Sequence, residues 1–151
     1  MRNSSLVFPL HVLVSFIMTG IIIFTQFVHY PLFEYVDPHR FHSFYNTHFL
    51  ASVRVLSVLM VIELITALLL FYQKKSGPWV FNFLLVLGTW ILTGFVQGPL
   101  HTALLSSYDL NAIHKTIQTN YFRVALWSAH CGIVFWQLLL YFKKLNNQQK
   151  K

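Results

Sequence analysis

The chain has 151 residues, of which 56% are hydrophobic and only 10% are charged. A soluble domain carries about a quarter charged residues, so this composition excludes an ordinary soluble domain and indicates a membrane protein with the lipid bilayer as its main partner. The net charge of +7 does not indicate nucleic-acid binding, because the basic residues flank the apolar segments and form no stripe on a folded face.

Four apolar segments are long enough to cross about 30 Å of hydrocarbon at about 1.5 Å per residue. They cover approximately residues 6–30, 49–72, 79–97 and 121–142. The first segment could instead be a secretory signal. However, the apolar run of this segment is longer than that of a typical signal and is not followed by small residues. We therefore predict an all-α, multi-pass integral membrane protein of the cell membrane, with residues 1–151 forming one transmembrane four-helix bundle.

The basic residues predict the orientation of this bundle. Most of them lie in the two terminal tails or between the second and third segments, which an even number of spans places on one side: Arg2, Lys74, Lys75, Lys143, Lys144, Lys150 and Lys151. The other two loops, residues 31–48 and 98–120, carry Arg40 and Lys115. The positive-inside rule then places both termini in the cytoplasm, with residues 143–151 as a basic cytoplasmic tail.

Each predicted helix has one polar face when its residues are placed at about 100° intervals. These faces contain His11, Ser15, Thr25 and His29; His48, Ser52, Glu63 and Thr66; Thr89, Thr93 and Gln97; and Asn120, Arg123, Trp127, His130 and Gln137. They predict a polar seam inside the bundle, with the opposite faces toward lipid. Most of the eight histidines lie in or beside the outer loops, so the outer half is predicted to be polar and the inner half nearly plain hydrocarbon.

Glu63 lies near the middle of the second span, where an ionised carboxylate is costly and usually marks a functional site. We expect it to be neutral, paired or in contact with a cavity. A protonated Glu63 that hydrogen-bonds Thr66 or a backbone carbonyl as a structural link is the alternative. His130 has the same two interpretations. Arg123, near the predicted start of helix four, could instead reach the membrane interface.

The histidines also raise the question of a cofactor. His29, His48 and His101 lie at outer helix ends, and three imidazoles that converge there could hold a transition metal. Two of His29, His101 and His130 could hold a haem. The sequence contains no HExxH motif, and a site without a cofactor is the first expectation, with metal or haem as alternatives.

The stretch VQGPLHTALL, residues 96–105, interrupts the third apolar segment. Proline lacks a backbone donor and disfavours a helical residue before it, so Gly98 and Pro99 predict the end of helix three. Gln97 and His101 flank this end on the outer side. We expect them to form one wall of an outward-facing polar pocket.

An internal repeat is also indicated. Helix one contains Thr19-Gly20, then Gln26 and Pro31-Leu32, and helix three contains Thr93-Gly94, then Gln97 and Pro99-Leu100. Each is followed by an Arg-Val pair, at residues 54–55 and 123–124. The pattern suggests two repeated helical hairpins whose first helices both run outward.

QGPLHTALL and the later TNYFRVALWSA resemble the second half of small four-helix membrane proteins of the anthrone-oxygenase-like family, and Gly20 and the HYPLF stretch are similar to its first helix. The resemblance implies the four-helix fold and singles out Gln97, Pro99, Leu100, His101, Asn120 and Arg123. Gln97 and His101 stand where that family more often has asparagines. Named members resemble enzymes that oxidise anthrones to anthraquinones with molecular oxygen.

The resemblance therefore implies an oxidoreductase without a cofactor that acts on a lipophilic aromatic substrate. His101 or His130 would be the base, and Arg123 would stabilise the anion. The expected substrate-binding residues are Gln97, Asn120, Gln26, Trp127 and Glu63.

Two other classes of function stay open. An oligomeric channel or transporter would use Glu63 in an ion path, and an accessory or assembly protein would need only its surfaces. A cavity that reaches Gln97, His101 and Arg123 favours the enzyme. A solid interior in which Gln97 pairs with Asn120 or Arg123 favours the accessory protein.

Overall fold

The computed structural model describes residues 6–149. Arg2, Lys150 and Lys151, on which the predicted orientation partly depends, lie outside this range. The α-helices are α1 (Val7–Phe24), α2 (Pro38–Lys74), α3 (Gly77–Leu92), α4 (Gly98–Ser106) and α5 (Leu110–Gln149). A π-helical turn at Thr25–His29 and a 3-10 turn at Pro31–Tyr35 follow α1, and a second π-helical turn at Thr93–Gln97 joins α3 to α4.

Four continuous helical stretches are long and apolar enough to cross a membrane, namely Val7–Tyr35, Pro38–Lys74, Gly77–Ser106 and Leu110–Gln149. The predicted all-α four-helix architecture is confirmed. Each helix extends beyond its predicted apolar segment, because the helical backbone continues into more polar sequence. The end of the bundle that contains residues 30–48 and 98–115 is called the outer end below.

Aspartates begin the two longest helices. Asp37 precedes Pro38, and its side chain accepts a hydrogen bond of 2.8 Å from the backbone N–H of His39. Asp109 does the same for α5, accepting from the N–H groups of Asn111 at 2.8 Å and Ala112 at 3.2 Å. Both side chains satisfy donors that a helix start leaves free. The predicted loop of residues 98–120 is therefore mostly helix.

The two π-helical turns occupy matching sequences, TQFVHYP at residues 25–31 and TGFVQGP at residues 93–99. In each, the residue before the proline donates its backbone N–H to the threonine five positions earlier, from Tyr30 to Thr25 and from Gly98 to Thr93. The wider turn lets the helix pass a proline that would disrupt a regular α-helix.

The prediction that Gly98 and Pro99 end helix three is therefore wrong, since the helix continues to Ser106. The π-helical turns also correct the alignment of the two hairpins. Thr25, and not Thr19, corresponds to Thr93.

The helices form a closed ring in which α1 and α3 each pack against both α2 and α5. An apolar cluster in the middle of the bundle contains Val14, Met18, Ile22, Met60 and Trp127. A second cluster at the outer end contains Tyr30, Phe33, Phe41, Tyr45, Leu104, Ala112 and Ile113. Large apolar side chains cover the outside, among them Phe95 at 82% exposure, as a lipid-facing surface requires.

Candidate functional site

A cavity of about 360 Å³ lies in the outer half of the bundle, and this volume suits a small ligand. Its apolar lining comes mainly from Phe49, Val53, Leu56, Met60 and Trp90. Its polar lining comes from Thr25, His29, Tyr30, His48, Ser52, Ser57, Thr93, Gln97, His101 and Arg123. This lining is complementary to a molecule that is mostly apolar and carries a polar group.

The mouth of the cavity lies between α2 and the third long helix. The exposed lining residues are Val53 and Ser57 on α2 and Gly94 in the second π-helical turn. All three lie within the apolar segments predicted at residues 49–72 and 79–97, so the opening faces the region that lipid would occupy. The prediction that the pocket faces outward is therefore wrong, because the opening lies at the side of the bundle, where a ligand would enter from the bilayer.

His101 lies on the cavity wall between two tyrosines. Its Nε2 is 3.0 Å from the hydroxyl oxygen of Tyr30, and its Nδ1 contacts the hydroxyl oxygen of Tyr45. A neutral imidazole has one donor and one acceptor nitrogen, so one tyrosine donates to the ring and the other accepts from it. The two contacts hold the imidazole in a fixed orientation.

His29 and His48 form a second contact on the same wall. The Nε2 of His29 is 3.2 Å from the Nδ1 of His48, which is also 3.2 Å from the hydroxyl oxygen of Ser52. Within residues 6–149, no three His, Cys, Asp or Glu side chains are grouped so that they could hold a metal ion. The structure therefore brings His29 and His48 together but does not form the predicted ligand set with His101.

The predicted haem ligands are not arranged as an axial pair. Both ring nitrogens of His101 contact tyrosine hydroxyls. Those of His130 contact Asn82 and Ser15. The third predicted ligand, His29, uses its Nε2 in the contact with His48.

Arg123 is a buried cation on the cavity wall, with 5% of its surface exposed. One terminal nitrogen donates to the Oδ1 of Asn120 at 3.2 Å, and the guanidinium carbon lies 5.3 Å from the centre of the Trp127 ring. In the described part of the chain, no carboxylate lies within ion-pair distance of it. Because Arg123 is buried against the cavity and Trp127, its guanidinium points into the bundle and does not extend along the surface toward the membrane interface, as the alternative interpretation required.

Unpartnered polar atoms are concentrated at this cavity. Among residues 6–149, the buried side-chain atoms without a hydrogen-bond partner are Gln26 Nε2, Trp90 Nε1, Gln97 Oε1 and Arg123 Nε. Three of these four atoms belong to residues that line the cavity. An unsatisfied buried polar group costs about 1–3 kcal/mol. A ligand that offers both an acceptor and a donor would remove this cost once these buried side chains turn toward it.

The hydrogen bonds of Gln97 distinguish the two predicted interiors, a cavity that favours an enzyme and a solid interior that favours an accessory protein. Its Nε2 donates to the backbone oxygen of Thr116 at 3.3 Å and to the hydroxyl of Thr119 at 2.9 Å. Asn120 instead donates to the Oε1 of Gln26 at 2.8 Å. Gln97 therefore pairs with neither Asn120 nor Arg123, and the interior beside it is a cavity.

A second group of polar side chains lies deeper in the bundle. It consists of His11, Ser15, Glu63, Thr66, Asn82, Trp127 and His130, all buried, and is called the deep cluster below. The Nε1 of Trp127 donates to both carboxylate oxygens of Glu63, at 3.0 and 3.3 Å. The Nε2 of His130 lies 3.3 Å from Glu63 and 2.9 Å from the hydroxyl of Ser15.

Asn82 connects the two histidines of the deep cluster. Its Oδ1 is 3.2 Å from the Nε2 of His11, and its Nδ2 is 2.8 Å from the Nδ1 of His130. The prediction of a nearly plain hydrocarbon inner half is therefore wrong. Asn82 was not among the predicted site residues. It lies two helical turns before Thr89 on the same face of α3, and this spacing is the sequence signal that would have identified it.

Thr66 does not bond to the Glu63 side chain. Its hydroxyl donates to backbone oxygens of α2 and lies 2.8 Å from the Nδ1 of His11. The predicted alternative in which Glu63 is held through Thr66 is therefore replaced by contacts of Glu63 with Trp127 and His130.

The predicted site residues thus separate into three groups. Five of them line the cavity, namely His29, His48, Gln97, His101 and Arg123. Glu63, Trp127 and His130 belong to the deep cluster. Gln26 and Asn120 bond to each other behind the cavity wall. Tyr30, which lines the cavity, and Tyr45, which contacts His101, were not among the predicted site residues.

No protein-family model, curated protein or solved structure matches the chain. The function is therefore argued from the residues and geometry of the cavity.

Proposed function

We propose that this chain is a cell-membrane oxidoreductase that takes a lipophilic aromatic molecule with an acidic C–H or O–H group from the bilayer and oxidises it in the outer cavity. The observation that carries the proposal is Arg123, a buried guanidinium on the cavity wall with no carboxylate partner in the described residues. A buried guanidinium that no carboxylate contacts directly is costly, and an anionic substrate or intermediate would supply that contact.

The lining fits such a molecule at both ends. Aromatic and aliphatic side chains, with Phe49, Leu56 and Trp90 among them, provide the surface for flat rings. Arg123 Nε and Trp90 Nε1 are unpartnered donors, and Gln97 Oε1 is an unpartnered acceptor. They could bond to an oxygen atom and a hydroxyl group of a ligand once these buried side chains turn toward the cavity. A phenol, an enolisable ketone or an anthrone has this combination of groups.

The chemistry begins with removal of a proton. A neutral imidazole is a competent base near pH 7. His101 is the histidine that tyrosine contacts hold at the cavity wall, and it would accept the proton once the substrate displaces the tyrosine that donates to its acceptor nitrogen. Arg123 then stabilises the resulting phenolate or enolate, which is electron-rich enough to reduce molecular oxygen. Conversion of a CH₂ group and O₂ to a C=O group and H₂O balances without another reductant.

The test is oxygen consumption by the detergent-purified full-length chain with anthrone as the probe. We expect Arg123→Gln to lower kcat/KM by about 100-fold, the scale for loss of one group that stabilises a developing anion. The matched control is Arg54→Gln, because Arg54 is an exposed arginine of α2 outside the cavity lining. This variant should retain wild-type turnover.

Two outcomes would change the proposal. Anthrone binding that requires Arg123 but gives no oxygen uptake would leave a binding or accessory protein for lipophilic aromatics. Oxygen uptake that is equal in wild type and Arg123→Gln would remove the cavity from the reaction.

A further inference from the structure

Trp127 connects the cavity wall to the deep cluster. Its ring lies 5.3 Å from the guanidinium carbon of Arg123, and its Nε1 donates to both oxygens of Glu63. The indole therefore stands between a buried cation that lines the cavity and a carboxylate that is fully buried behind it. This one ring is the contact that connects the two charged groups.

Neither charge has another permanently charged partner in the described residues. Arg123 forms no ion pair, and Glu63 pairs only with His130, which is charged only if protonated. Charges interact far more strongly in a dry interior than in water. Through its contact with Trp127, Arg123 is the permanent cation that the described contacts connect to Glu63.

The hydrogen bonds of His130 indicate which of its ring nitrogens accepts and which donates. Asn82 donates through its Nδ2 to the Nδ1 of His130, so this ring nitrogen is an acceptor. The ring proton is then on Nε2, which faces the hydroxyl of Ser15 and the carboxylate of Glu63. Ser15 accepts this bond, since its own proton goes to the backbone oxygen of His11. Glu63 is consequently the group in the deep cluster that is free to accept a proton.

The other titratable groups around Glu63 come from two helices. Helix α1 presents His11, whose ring centre is 5.2 Å from that of His130. Helix α5 presents Arg123, His130 and the thiol of Cys131. Helix α3 faces the cluster with Asn82, which does not titrate.

We propose that the cavity binds a lipophilic anion together with one proton, and that the proton is held by the carboxyl group of Glu63. An anion seated at Arg123 cancels the charge on which the buried carboxylate depends, and a buried carboxylate without compensation takes up a proton. A permanent anion therefore draws one proton from solvent, whereas a ligand that enters as a neutral acid supplies its own. The inference rests on the proposed function in one respect, because Arg123 must be the residue that binds the anion.

The experiment is isothermal titration calorimetry of the full-length chain in detergent with 2-naphthalenesulfonate, an anion that does not titrate near neutral pH. Repeating the titration in two buffers of different ionisation enthalpy gives the number of protons taken up per bound anion. Wild type should take up close to one proton. Glu63→Gln should bind the anion with no uptake, and the neutral 2-naphthamide should cause no uptake in either protein.

Glu34→Gln is the matched control, because Glu34 is an exposed carboxylate at the outer end that pairs with His114. Its proton uptake should equal that of wild type. Infrared difference spectra of wild type with and without the sulfonate give a readout that needs no variant. We expect a new C=O stretching band of a protonated carboxyl group, shifted in D₂O.

The outcomes separate this inference from the proposed function. Two results of the calorimetry overturn the coupling and leave the cavity as a binding site. In the first, sulfonate binding requires Arg123 but is accompanied by no proton uptake. In the second, Glu63→Gln takes up as many protons as wild type. Absence of the carboxyl band in wild type with bound sulfonate overturns it as well. If neither naphthalene compound binds to wild type, both the proposed function and the coupling fail.

Discussion

Trp127 shows how one residue serves packing and polar contacts together. Its ring belongs to the apolar cluster with Val14, Met18 and Met60, whereas its N–H donates to Glu63. The sequence placed it on the polar face of the fourth helix, where a large aromatic side chain is unusual. The donated hydrogen bond explains this position, because a buried carboxylate must be satisfied by donors.

Trp127→Phe tests the hydrogen bond while retaining an aromatic ring. We expect a loss of about 1–3 kcal/mol in stability, because the carboxylate loses one of its donors in a dry interior. Thermal unfolding in detergent measures the change. Trp136→Phe is the control, since Trp136 is 52% exposed, and an equal loss in both variants would show that the N–H of Trp127 contributes nothing.

At the scale of the elements, the π-helical turns decide which side chains reach the cavity. Thr25, His29, Thr93 and Gln97 belong to these turns and line the cavity. One additional residue in a helix rotates everything after it by about 100°. The second π-helical turn therefore sets the direction of His101 relative to α3.

Deletion of Val96 would remove the additional residue and restore a regular helix. We expect α4 to rotate about 100° relative to α3, which removes His101 from the cavity wall and weakens binding of an aromatic probe at least tenfold. Fluorescence titration measures the affinity. Circular dichroism should show unchanged helix content, and Val96→Ala, which keeps the residue count, should bind as wild type does. Unchanged affinity after the deletion would contradict this role.

The sequence predicted the four helices and their polar faces because apolar length and helical periodicity are local properties. The cavity wall at Gln97, His101 and Arg123 was also anticipated, since polar residues collected near helix ends. The continuation of the helix past Pro99 was missed, because the usual rule for proline assumes a regular α-helix. The contacts of His101 with Tyr30 and Tyr45 join segments far apart in the chain, and no local pattern predicts them.

At the scale of the whole molecule, the charge pattern predicts which end faces the cytoplasm. In a Cys131→Ser background, a cysteine at Ser107, in the turn between α4 and α5, should react with a membrane-impermeant maleimide on intact cells. A cysteine at Lys144, near the end of α5, should react only after permeabilisation. The reverse labelling pattern would show that the orientation is inverted.

The sideways mouth of the cavity gives a second prediction at this scale. Val53→Phe should narrow the mouth and slow association of an aromatic probe by about tenfold, with a smaller effect on affinity. Val61→Phe is matched to it, because both valines are exposed on α2, at 45% and 42%, but Val61 does not line the cavity. Stopped-flow fluorescence measures the rates, and equal rates in the two variants would place the entrance elsewhere.

The position of this mouth changes what affinity means for the protein. A site that opens into lipid samples the mole fraction of a molecule in the bilayer and not its aqueous concentration. Each added methylene favours partition into the membrane by about 0.8 kcal/mol, so a few of them enrich a hydrophobic compound by orders of magnitude. Weak contacts inside the cavity then suffice for high occupancy of the site. Compounds dissolved in water are first discriminated by their partition into the bilayer, before they contact any side chain of the cavity.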